Sequence, residues 1–63
     1  MTGDQRDVLF EFRRIGTSVK VSAVDPATGT EVSIIGPAGA GEVALRRVAL
    51  QKLRFVLAKA DKA

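Results

Sequence analysis

Sixty-three residues make one small domain and leave no room for a second. With no cysteine and no histidine, disulfides and nearly all transition-metal sites are excluded, because carboxylates alone favour hard, oxygen-liking ions. The net charge of +3 is unevenly placed: the first 36 residues carry four cationic side chains against five carboxylates, and the last 27 carry six against two.

Ahead of the first apolar residues stand Asp4, Arg6 and Asp7, and Glu11 interrupts the run Val8 to Phe12. No continuous signal-peptide core is therefore expected. Residues 1 to 7 read as a disordered N-terminus, residues 8 to 60 as the domain, and residues 61 to 63 as a frayed end.

From Val8 to Gly36 the pattern has period two, is enriched in β-branched and aromatic residues, and is divided by turn signals into three runs. In the first, Val8, Phe10 and Phe12 share one face, while Leu9, Glu11 and Arg13 point the other way. Gly16 then offers a positive-φ position for a tight connection. In the second, Val19, Val21 and Ala23 alternate with Lys20 and Ser22. Asp25-Pro26-Ala27-Thr28-Gly29 follows, where Pro26 presets a turn and Gly29 closes it in the left-handed region. In the third, Val32 and Ile34 continue the apolar face. Short connections make an antiparallel meander the economical topology.

After Pro37 the period becomes helical, and from Glu42 to about Ala60 neither Gly nor Pro interrupts it. The start lacks a Ser, Thr, Asp or Asn cap, which leaves Gly39 or Gly41 for that role, with Glu42 favourable near the positive end of the dipole. Leu45, Ala49, Leu50, Leu53, Val56, Leu57 and Ala60 form one broad stripe facing the core. Arg46 lies at its edge, with its stem buried and its guanidinium lifted to water. The fold expected is α+β: a three-stranded antiparallel meander followed by one long C-terminal helix, β-β-β-α. The helix packs on the face formed by Phe10, Phe12, Val19, Val21, Val32 and Ile34.

Both layers are apolar on two sides. On the helix, Ala44, Val48 and Phe55 form a narrower strip between a margin of Arg47 and Arg54 and a margin of Lys52 and Lys59. The back of the sheet carries Leu9, Val24 and Ile35 among Glu11, Arg13, Lys20 and Ser22. One helix covers only one face of the sheet, so a lone copy leaves apolar surface in water. A chain this short also buries only about 60% of the surface its unfolded form exposes. With disulfides and transition metals excluded, a partner subunit is the remaining support. Self-association, most simply as a homodimer, is the reading, with Val48, Phe55, Leu9, Val24 and Ile35 as candidate contacts.

The motifs for chemistry are weak. Gly36 to Gly41, GPAGAG, sits between a strand and a helix, where phosphate-binding loops sit, yet Glu42 and Val43 follow where a Walker loop needs Lys and then Ser or Thr. Catalysis most often uses a His, and the chain also lacks Cys and Tyr. Ser18, Ser22 and Ser33 have no evident base, and a Glu11 and Glu31 pair across the sheet is the remaining acid–base arrangement. No catalytic activity, no cofactor and no metal are expected. The alternative function is nucleic-acid binding through Arg47, Lys52, Arg54 and Lys59 on the basic helix. No apolar run approaches the roughly 18 residues of a membrane span, and the chain reads as a soluble cytoplasmic protein.

FEFRRIG at Phe10 to Gly16, VDPATGTEVSIIGP at Val24 to Pro37 and ALRRVALQKL at Ala44 to Leu53 together resemble a short bacterial single-domain family of unknown function. The resemblance spans nearly the whole chain. It implies a free-standing small protein of three strands plus a C-terminal helix, and it carries over no catalytic or binding residue.

Overall fold

A computed structural model describes the backbone of residues 7–62 and the side chains of residues 7–60. The elements follow as β1 (Leu9–Ile15), β2 (Ser18–Asp25), β3 (Thr30–Pro37), a single 3-10 turn (Ala38–Ala40) and α1 (Glu42–Lys62). The sheet is an antiparallel meander of order β1-β2-β3, and α1 lies across β2 and β3. This is the β-β-β-α order that the change of period predicts. The expectations for residues 1 to 6 and for residue 63 lie outside the described residues. The helix continues to Lys62, two residues past the boundary read from the pattern.

Gly16 and Thr17 alone separate the paired Ile15 and Ser18. Gly16 has φ 62° and no non-glycine residue among the described residues has a positive φ, so only the first central position is left-handed. That is the II′ pattern, whose twist matches the strands it joins. The closing pair of so short a loop is hydrogen-bonded in both directions, and the alternation along the ladder follows from it. Leu9, Glu11, Arg13 and Ile15 therefore use their backbone groups toward β2, and Phe10, Phe12 and Arg14 turn theirs outward.

Asp25 organises the second hairpin. Its carbonyl accepts from the Gly29 N–H at 2.7 Å, its Oδ1 accepts from the Ala27 N–H at 3.2 Å, and its Oδ2 accepts from Thr28 Oγ1 at 3.1 Å. Asp25 is buried, and these bonds replace the water it gives up. Gly29, at φ 76°, closes the turn as the sequence indicates.

Period two then sorts the side chains. Val21, Ala23 and Val32 on the inner face join Leu45, Ala49 and Leu53 of α1 in the core, with Val8, Phe10, Phe12, Val19, Ile34, Val56 and Leu57 packed half-buried around them. Val21 and Leu53 are the largest fully enclosed side chains, each contributing about 1.5–3 kcal/mol of hydrophobic stabilisation. Leu50 is buried, whereas Ala60, assigned to the same stripe, is exposed. The α1 cap is Gly41, whose carbonyl accepts from the Leu45 N–H at 3.2 Å. The Ala38 N–H donates to the Thr17 carbonyl at 2.9 Å, tying the entry of the helix to the first hairpin.

Candidate functional site

The helix is offset from the sheet, and the offset shapes both surfaces. Because α1 rests on β2 and β3, the inner face of β1 is covered only in part: Phe10 and Phe12 are half-buried. Arg46 fills the gap, its guanidinium carbon 5.5 Å from the Phe10 ring centroid and 5.8 Å from that of Phe12. Its Nη2 lies 3.8 Å from Glu42 Oε1 one turn earlier. The guanidinium thus lies against two rings while the side chain stays half exposed to water, an arrangement attractive through the ring quadrupoles.

The outer face of the sheet forms four rows: Leu9, Val24 and Glu31; Glu11, Ser22 and Ser33; Arg13, Lys20 and Ile35; and Ile15, Ser18 and Pro37. Leu9 is 60% exposed, Ile15 55% and Ile35 70%, while Val24 is half-buried between Leu9 and Glu31. Ile15 extends the period-two pattern of Leu9, Glu11 and Arg13 by one step, and its position beside the turn hid it. Glu11 and Glu31 stand in different rows with β2 between them, so the sheet does not bring the two carboxylates together.

On the helix, Val48 is exposed and Phe55 is 64% exposed. The exposed Val43, on the solvent side of the first turn, escaped the sequence reading because it lies off both stripes. The four basic candidates divide. Lys52 Nζ donates to the Ser33 carbonyl oxygen at 2.9 Å, and Lys59 Nζ sits 5.4 Å from the Phe55 ring centroid. Arg47 and Arg54 stay exposed, flanking a shallow open depression of about 290 Å³ with Leu50 and Gln51. Nothing in helical periodicity alone points from Lys52 to a strand carbonyl nineteen residues earlier.

A second open recess, about 250 Å³, lies at the start of α1 among Phe12, Arg14, Val19, Glu42 and Leu45. Arg14 Nε there donates to the Gly16 carbonyl at 3.0 Å, and the Glu42 carboxylate shares the rim, so an anion meets one engaged cation and one like charge. The GPAGAG segment itself is the end of β3, the 3-10 turn and the cap, rather than a loop wrapped around a phosphate.

Among the described residues no group of three or more acidic side chains is placed to hold a metal ion, and no helix is long and apolar enough to cross a membrane. Searches of the curated proteins and of the solved structures each give no match. Residues 5–60, nearly the whole chain and all three strands, match a family described as a domain of unknown function, and the protein belongs to that family, DUF6898.

Proposed function

We propose that the domain is a cytoplasmic, self-associating protein-interaction module with no catalytic step of its own. One observation carries the reading: Leu9, Ile15 and Ile35 on the sheet, and Val48 and Phe55 on the helix, stand in solvent on the two layers of a very small fold. These side chains are spread over both layers, and covering some of them with a second copy supplies the interior that 63 residues lack. The absence of His, Cys and Tyr supports the non-catalytic part, and a cysteine-free chain suits a reducing compartment. Sedimentation velocity over a dilution series tests it: concentration-dependent dimer formation is expected, and a chain still single at about 1 mM removes the reading.

Nucleic-acid contact is the second reading, favoured by the exposed Arg47 and Arg54 on the solvent side of α1. It is the weaker one, since Lys52 and Lys59 already have partners on the protein itself.

A further inference from the structure

The two edges of the sheet are not equivalent. Along β3 the backbone groups that face outward belong to Glu31, Ser33, Ile35 and Pro37, by the same alternation that makes Asp25 and Thr30 the closing pair of their hairpin. Lys52 already occupies the Ser33 carbonyl, and Pro37 has no N–H to offer. A lysine and a proline on an edge are devices that blunt it against another strand. Along β1 the outward groups are those of Phe10, Phe12 and Arg14, and among the described residues no strand or helix lies beyond them. Three residues of the seven-residue strand thus hold their backbone groups open there.

The sequence of that edge, LFEFRRI, complements itself when run antiparallel. Only residues with outward backbone groups can face each other in hydrogen-bonded pairs, which restricts the registers to those pairing Phe10, Phe12 and Arg14 among themselves. Opposing Phe10 with Phe12 sets Glu11 against Glu11, opposing Phe12 with Arg14 sets Arg13 against Arg13, opposing Arg14 with itself sets two cations together, and opposing Phe10 with itself pairs only Leu9 to Glu11 of β1. Like charges directly opposite are destabilising. The register that opposes Phe12 with Phe12 sets Glu11 against Arg13 twice, Leu9 against Ile15 twice, and Phe10 against Arg14 twice. Charge meets charge of opposite sign on the outer face, and the two exposed aliphatic ends of β1 cover each other.

Resting on the self-association proposed above, we infer that the occupant of the β1 edge is the β1 edge of a second copy, joined antiparallel about Phe12 into one six-stranded sheet. The two-fold axis is perpendicular to the sheet, so both helices lie on one side. Because each α1 rests on its own β2 and β3, the two helices stand apart above the β1 seam, where the inner face carries Phe10, Phe12 and the Arg46 side chain that lies against their rings. Leu9 belongs to this contact; Ile35, Val48 and Phe55 lie away from it.

Charge reversal tests the register without touching the core. Glu11→Arg and Arg13→Glu, each on the exposed outer face, are expected to weaken the dimer about tenfold or more by turning two attractive pairs into repulsive ones. The double variant E11R/R13E restores opposite charges and is expected to return the dissociation constant to within about threefold of the original. Amide hydrogen exchange at Phe10, Phe12 and Arg14 is expected to slow as concentration rises, while the amides of Glu31 and Ile35 do not change. A chain that associates but is indifferent to both single reversals, and is instead dissociated by Ile35→Asp or Phe55→Asp, overturns the β1 assignment and leaves self-association standing. A chain that does not associate at all overturns both.

Discussion

The backbone of Gly36 and the side chain of Leu45 are in contact: a methyl group at position 36 would fall on the Leu45 Cδ2. Strand β3 and helix α1 can approach this closely because residue 36 has no side chain, and Leu45 fills the space as part of the core. Gly36→Ala is therefore expected to destabilise the fold by about 1–3 kcal/mol through overpacking. Urea denaturation measures it. In a Leu45→Ala background the same change is expected to cost much less, because the clash is gone, and the double-mutant cycle reports the difference as coupling.

Asp25 gives a second test. Asp25→Ala leaves the Ala27 N–H and the Thr28 hydroxyl without their acceptors and is expected to cost about 1–3 kcal/mol. Asp25→Asn keeps one acceptor oxygen and is expected to fall between the two in the same denaturation experiment.

Arg46 is expected to matter through the rings it covers more than through its carboxylate partner. Arg46→Ala removes the stem and the cation from Phe10 and Phe12, with an expected loss of about 0.5–1 kcal/mol. Glu42→Gln removes only a long, exposed ion pair and is expected to change stability by less than about 0.5 kcal/mol. The two midpoints, compared side by side, separate the contributions.

Much of this architecture was legible in the residues. Alternation of Phe10 and Phe12 with Glu11 and Arg13, the Asp25 to Gly29 turn and the unbroken run after Glu42 each report on a local period, and a local period is a property of neighbours in sequence. The surface chemistry was less accessible because it depends on where elements land on one another. Whether Lys52 is a free cation or a ligand of a strand carbonyl, and whether Arg46 meets two aromatic rings on its way to water, is decided by the offset of α1 toward β3. No spacing within the helix encodes that offset. Val24 illustrates the same point on the sheet: its alternation places it outward, yet Leu9 and Glu31 on either side half-cover it.

Nucleic-acid binding has a quantitative signature. Of the four helix candidates, Lys52 and Lys59 are engaged and Arg47 and Arg54 remain for phosphates, so binding through this face is expected to give a slope of log K against log salt for mixed-sequence DNA no steeper than about −2. A fluorescence-anisotropy titration measures it, and a slope near −4 would show all four basic side chains recruited and would favour the second reading.

Lys52→Ala is expected to leave the fold near its original stability, since the bond is exposed, and to raise the tendency to aggregate at high concentration by opening the Ser33 carbonyl. Turbidity against time, compared with Lys59→Ala as a control on the same helix flank, reads this out.

The Lys52 bond to Ser33 also bears on how many molecules one assembly holds. A ribbon whose two margins both accept strands grows without limit into a fibre, whereas a ribbon with a single receptive margin is finished after one addition. In the dimer inferred above, Lys52 and Pro37 together close the β3 side, so pairing through β1 would end at two copies.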